Sequence, residues 1–162
     1  MAFKKLSPEI LRAHKGKSFV GVSTAFICYD GSGKILLSKR SKNTRDEHGN
    51  WDAGGGGLKW GEAAEENLLR EIKEEYNFTP LKIEFLGYMD AFRIGADGEP
   101  THWLALYFAV LVDPKQLKIN EPDMVDDYGW FSLDDLPKPM HTMFAPFMEK
   151  HGKMLRSIIS KE

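Results

Sequence analysis

Three glutamates, Glu71, Glu74 and Glu75, stand at i, i+3 and i+4, a spacing that a helix turns into one ridge of carboxylates. Like charges so placed repel by about 0.2–0.5 kcal/mol per pair on an exposed helix. A divalent cation converts that repulsion into a ligand set, because hard ions such as Mg²⁺ take carboxylate oxygens. Ahead of the glutamates run four glycines, Gly54 to Gly57, the residue type that lets a backbone approach a ligand or adopt positive φ. A backbone carbonyl from such a turn can complete a metal shell. The stretch from Gly56 to Phe78 therefore reads as a site for metal-assisted chemistry on a phosphate.

A helix must carry this ridge. At 100° per residue, Ala64, Leu68, Leu69, Ile72 and Tyr76 fall in one arc that packs on a sheet. Glu71 and Glu75 lie at the edge of that arc, with Glu74 just beyond and Lys73 and Glu66 turned to solvent. Glu65 falls inside the arc and is its one misfit. The plain alternative is a solvated face laced by Glu66, Arg70 and Glu74 pairs. The glycines and the placement at the margin of the packed face favour a cleft wall instead.

The flanking elements follow from composition. Ser7-Pro8-Glu9 is a helix start, with an N-cap hydroxyl and proline at the first position, and Gly16 soon ends it. Residues 18–29 are rich in Val, Ile, Phe and Thr and read as a strand. Asp30 to Gly33 turns it into a second strand, Lys34 to Arg40, as a hairpin. Ser41 to Asn50 is a polar loop. Residues 81–94 read as a strand burying Ile83, Phe85 and Tyr88, and 102–112 as the strongest strand of the chain. An acidic loop over 120–127, a short strand over 128–132 and a proline-punctuated turn lead to a terminal helix over 142–160, bent or restarted near Pro146. Strands with helices in the middle and at the end give an α/β sandwich around a mixed sheet.

Composition narrows the function classes. A chain of 162 residues is one domain with a proper core. A formal net charge of −2 gives no support for a nucleic-acid polymer as partner. No apolar run reaches the roughly 20 residues that span a bilayer, so no membrane partner is expected. The N-terminus is amphipathic and charge-broken, unlike a secretory signal. Cys28 is the single cysteine, which excludes an intramolecular disulfide and suits the cytoplasm. It lies in an apolar strand and reads as buried filler. The five histidines show no ligand spacing for zinc.

The glycine–glutamate stretch resembles the signature of the Nudix hydrolases, the MutT-like family. That box is G, five residues, E, seven residues, REU, one residue, EE, one residue, GU, with U apolar. Gly56, Glu62, Arg70-Glu71-Ile72, Glu74-Glu75 and Phe78 fit it in register. Asn77 stands where the family has glycine, and Asn tolerates the left-handed conformation needed at a helix end. Gly54 stands where many members have proline. The resemblance implies a single Nudix domain over 1–162, an α/β/α sandwich with a mixed sheet.

It also implies an activity: hydrolysis of the pyrophosphate bond in a nucleoside diphosphate linked to a group X, with Mg²⁺ or Mn²⁺. Carried over by position, Glu74 and Glu75 are metal ligands, Glu71 a further ligand or a base, and the Gly55 carbonyl an added ligand. Arg70 orients the glutamates, and Glu62 pairs with Arg70 or reaches the metal through water. The general base often comes from a downstream loop in this family, and Asp126 is preferred here over Glu121, Asp123 and Asp127. Arg40, Lys42 and Arg45 are candidates to meet phosphate, Arg40 foremost. Of the aromatics Trp51, Phe92, Trp103 and Trp130, Trp103 is carried as the substrate-stacking candidate, and Trp130 reads as core. The substrate is a small nucleotide, with a lean toward a nucleoside triphosphate. ADP-ribose or another nucleotide sugar is the alternative, and a non-catalytic nucleotide-binding module the rival of another class. An isopentenyl diphosphate isomerase on this fold would use a cysteine in its own motif, a setting Cys28 lacks. The sequence leaves oligomeric state, a homodimer included, open.

Overall fold

The structure, a computed structural model, describes residues 6–160. The amphipathic reading of the N-terminus falls partly on residues outside that range. Helix α1 (Pro8–His14) starts as its residues dictate, Ser7 Oγ accepting the Ile10 N–H at 3.3 Å and Pro8 in the first turn. The strands are β1 (Gly21–Tyr29), β2 (Lys34–Arg40), β3 (Trp51–Asp52), β4 (Gly54–Gly57), β5 (Lys82–Ile94), β6 (Pro100–Leu111) and β7 (Val125–Ser132). Two further helices, α2 (Ala64–Tyr76) and α3 (Phe144–Ile159), cover the sheet.

All strands join one mixed sheet in which β1 and β6 run parallel and the other pairs antiparallel. Alternation along β1 splits the core. Phe26 and Cys28 face a cluster with Leu68, Ile72 and Tyr76 of α2, while Ile27 and Tyr29 face one with Phe147, Leu155 and Ile158 of α3. The result is the α/β/α sandwich with a mixed sheet that the sequence predicts.

The hairpin is realised only at its turn. Strands β1 and β2 are in register at Tyr29 and Ile35, then part. Farther along, β1 pairs with the glycines of β4, from Ser23 opposite Gly57 to Phe26 opposite Gly54, while β2 pairs with β3 and β7. A cleft opens where the two strands diverge, and β3 and β4 line it.

Three further details differ from the sequence reading. In β5 the register shifts between Phe85 and Gly87, which exchanges the faces: Leu86, Met89 and Ala91 are buried, while Phe85 and Tyr88 are half exposed and Ile83 is partly buried. The strand after the acidic loop begins at Val125, and residues 122–124 form a 3-10 turn. Helix α3 neither bends nor restarts at Pro146, because that proline is its third residue, where a missing N–H costs no intrahelical bond.

Candidate active site

Helix α2 is pinned at both ends. At its start Glu66 turns back to accept the Ala63 N–H at 2.9 Å. At its end Asn77 takes the left-handed conformation, φ 63°, and its N–H reaches the Lys73 carbonyl. Of the apolar arc, Leu68, Ile72 and Tyr76 are buried, whereas Leu69 is 41% exposed and belongs to the outer face. Its place inside is taken by Asn67, fully buried, which composition gave no reason to put there. Asn67 Oδ1 accepts from Thr24 Oγ1 at 2.6 Å, and its Nδ2 donates to the Gly57 carbonyl and to Glu62 Oε2, each at 3.1 Å. One amide thus ties helix, β1, glycine strand and the first glutamate of the box together.

Two of the glycines are hemmed in by neighbouring side chains. A Cβ on Gly56 would lie 2.1 Å from the Glu71 carboxyl carbon, and one on Gly54 2.1 Å from the Phe26 ring and 2.9 Å from Glu75 Oε2. Gly56 tolerates no side chain without moving Glu71, and Gly54 none without moving the buried Phe26 ring. Gly55 N–H donates to Glu75 Oε1 at 3.2 Å.

Arg70 is the hub of the cluster. It grips Glu62 with two bonds, Nε to Oε1 at 2.7 Å and Nη2 to Oε2 at 3.0 Å. Its Nη1 donates to Glu71 at 2.6 Å and to Glu74 at 2.9 Å. These bonds hold the Glu62 carboxyl down at about 2, chiefly through Arg70. Glu71 and Glu75 move the other way. Burial raises the Glu71 carboxyl, outweighing its bond to Arg70. Burial raises Glu75 well above the ordinary value, and repulsion from Glu71, Asp52 and Glu121 adds to it. Excess negative charge therefore concentrates where the glycine strand meets the helix.

No group of three His, Cys, Asp or Glu side chains among the described residues is already gathered as a metal cage. The donor chemistry nevertheless fits a hard cation: carboxylate oxygens only, repelling one another in a partly desolvated wall, against glycines that leave room for them.

A cavity of about 460 Å³ occupies the cleft between β1 and β2. Glu71, Glu75, Gly55, Arg40 and Trp103 all line it, while Glu62, Arg70 and Glu74 stand behind or beside that wall. Asp126 is exposed on β7 and outside the lining; the acid of its segment that does line the cavity is Glu121. Arg40 is held by Asp46 at 3.0 Å and Asp52 at 3.3 Å. Arg45 lies over the Trp103 ring, 5.6 Å from its centroid. Trp103 itself fits only because Gly16 and Gly21 face it; a Cβ at either would lie 2.3 Å and 2.5 Å from the indole.

The other aromatics sit elsewhere. Trp51 is buried against Phe131, Trp130 packs near Phe78, and Phe92 is exposed beside His102. Cys28 is buried, and burial pushes its thiol up, consistent with filler. The lining residues that the sequence did not single out, Asp52, Arg93, Tyr107 and His141, come from separate segments with no local pattern.

Comparison with known proteins agrees with this geometry. Residues 20–155 match the NUDIX domain. Nucleoside triphosphatase NudI of Escherichia coli O139:H28 (strain E24377A / ETEC) is 34% identical over 110 residues, which cover 64% of this chain and 77% of that protein. The crystal structure of a MutT NUDIX hydrolase from Burkholderia pseudomallei superposes with a TM-score of 0.70 at 31% identity, covering 82% of this chain and 98% of the other. The NUDIX domain of Shewanella oneidensis NrtR, solved with ADP ribose, shares the fold at 20% identity with a TM-score of 0.67, over 93% of this chain and 99% of that one. With the box in register on a glycine strand and helix of this geometry, the chain belongs to the Nudix family, as a MutT-like pyrophosphohydrolase.

Proposed function

We propose that this single-domain protein hydrolyses the pyrophosphate bond of a nucleoside triphosphate with Mg²⁺ or Mn²⁺ held by Glu71, Glu74 and Glu75. The observation that carries this reading is Glu75, a carboxylate desolvated in the cavity wall beside Glu71 and Glu121, with one N–H bond from Gly55 and, among the described residues, no cationic side chain bonded to it. Such a group calls for a cation. When bound, the ion would neutralise the diphosphate and lower the pKa of an attacking water.

The chain's own residues do the rest. Arg70, gripped by Glu62, fixes Glu71 in the cavity wall and Glu74 beside it, so positioning and charge complementarity dominate. The Gly55 backbone fixes Glu75 and offers a carbonyl to the ion. Glu121, which lines the cavity and acts on Glu75, takes the place of Asp126 as candidate base for the water proton. Arg40 and Trp103 face the substrate. The relative named as a nucleoside triphosphatase supports the triphosphate as substrate. Retention of every box glutamate argues against a non-catalytic module. No described helix is long and apolar enough to cross a membrane, and a cytoplasmic site of action goes with this reading.

The test is a panel of nucleoside triphosphates, ADP-ribose and dinucleoside polyphosphates incubated with protein and Mg²⁺ in ¹⁸O-water. Label should appear in a phosphate or pyrophosphate product from a triphosphate. Saturable nucleotide binding without any product would overturn the enzyme reading, and turnover of ADP-ribose alone would overturn the substrate.

A further inference from the structure

Just ahead of the glycine strand, the cavity contains a polar pair, Asp52 and His141, that is not among the proposed metal ligands. His141 Nδ1 accepts the Met143 N–H at 3.1 Å, which assigns the ring proton of the neutral imidazole to Nε2. Nε2 then points at Asp52 Oδ2 across 3.9 Å, too far for a hydrogen bond. No other group among the described residues accepts from it. Asp52 is partly satisfied: Oδ1 accepts the Ala53 N–H at 2.9 Å and Oδ2 meets Arg40 at 3.3 Å. A carboxylate offers about four lone-pair positions, so acceptor capacity remains. The pair stands open at 3.9 Å, and both residues line the cavity, where a ligand group can enter between them.

The opening is held rigidly. His141 N–H donates to the Trp51 carbonyl and Trp51 N–H to the Pro139 carbonyl, each at 2.8 Å, so the two residues ride on neighbouring backbones. Glu47 clamps the same segment, accepting Thr142 Oγ1 at 2.5 Å and the Thr142 N–H at 3.2 Å, while Arg93 holds Glu47 at 2.8 Å. Burial would raise the Glu47 carboxyl, but the Thr142 and Asn50 bonds together with the nearby His141 win and bring it to about 2. Beside the pair, Tyr107 and Phe147 stack at 4.6 Å and form an apolar wall, with Phe144 next to it. A fixed donor next to a fixed acceptor, against an aromatic wall, matches a flat heterocycle that presents an acceptor beside an N–H.

We propose that His141 Nε2–H and Asp52 together read the hydrogen-bonding edge of the substrate's nucleobase, and so set base preference. The inference rests on the nucleotide reading above. A site built to hydrogen-bond its ligand rejects analogues that leave it unpaired, so the pair makes the enzyme selective among bases.

Two measurements test it. The first compares kcat/KM over nucleoside triphosphates of the four bases for the wild type, Asp52→Asn, His141→Ala and His141→Gln, each checked for folding by thermal melting. The wild type should prefer one base by about tenfold or more. Asp52→Asn should reorder the preference, His141→Ala should flatten it through KM with kcat held, and His141→Gln, which keeps an N–H donor, should restore part of it. Folded, active variants with unchanged base order would overturn the proposal. Absence of turnover of any triphosphate by the wild type would instead overturn the function on which it rests.

The second needs no variant. The ¹⁵N resonances of the His141 ring should shift with nucleoside monophosphates and stay put with ribose 5-phosphate. Equal shifts with the base-free sugar would assign the pair to sugar hydroxyls and defeat the inference.

Discussion

The two ends of the cavity are built in opposite ways. The glutamate end comes from one continuous stretch, Gly54 to Glu75, in which a glycine strand and a helix meet and Arg70 links the carboxylates. The other end is assembled from pieces remote in sequence, Arg40 and Asp46, Arg93, Tyr107 and His141, and Asp52 stands between the two, close enough to act on Glu75. At the first end like charges crowd and call for a cation. At the second, acids are matched by arginines and a histidine, and one donor–acceptor gap is left over. On the proposed reading, chemistry and selectivity rest on different residues, and substitutions should separate them.

The largest effect belongs to Glu75→Gln. It should lower kcat/KM by about 10²–10³-fold, the scale for removing one preorganised charge, while leaving the order of preferred bases intact. Steady-state kinetics over the nucleotide panel would check this, and a changed base order would merge the two ends.

Next is Gly56→Ala, whose Cβ would collide with Glu71. A displacement of about 1 Å costs about 10²-fold in rate, so kcat should drop that far with little change in melting temperature. Wild-type kcat would show that the glycines do not set the glutamates.

Asn67→Leu probes what joins the glutamate end to the sheet. It leaves the Thr24 hydroxyl and the Gly57 carbonyl without their partner and should cost roughly 1–3 kcal/mol in denaturant unfolding.

The smallest effect is on pH. The Glu75 carboxyl is raised in the folded state, so the folded protein holds its proton above the ordinary value of 4.5, where the unfolded chain has lost it. Metal-free stability should therefore fall as pH rises from about 4.5 toward the raised value, and Glu75→Gln should reduce that slope, leaving the smaller share from Glu71 and Asp52, whose carboxyls burial also raises. Thermal melts of both proteins across that range would read it.

The same contrast explains what the sequence could and could not disclose. The glutamate ridge was legible because its residues share one helix, where spacing alone fixes their relative placement; Asn77 at the helix end was legible for the same local reason. The sandwich followed from strand and helix patterns. The bulge in β5 was not visible, because a one-residue shift leaves composition unchanged while exchanging the faces of Phe85 and Leu86. Asn67 was hidden by its type, since its burial depends on a hydroxyl at Thr24. Asp52 and His141 lie 89 positions apart and meet only because the segment before α3 pairs with β3. No local pattern encodes that meeting, nor does one show that Glu121 reaches the cavity while Asp126 faces out.

The central claim, that the glutamate ridge holds the cation required for hydrolysis, is tested most directly by Mn²⁺ titration followed by electron paramagnetic resonance of the free ion. Wild-type protein should bind Mn²⁺ saturably, Asp126→Asn should bind it equally, and Glu75→Gln should weaken it by about tenfold or more, as expected for loss of a hard oxygen ligand. Undiminished binding by Glu75→Gln would contradict the account.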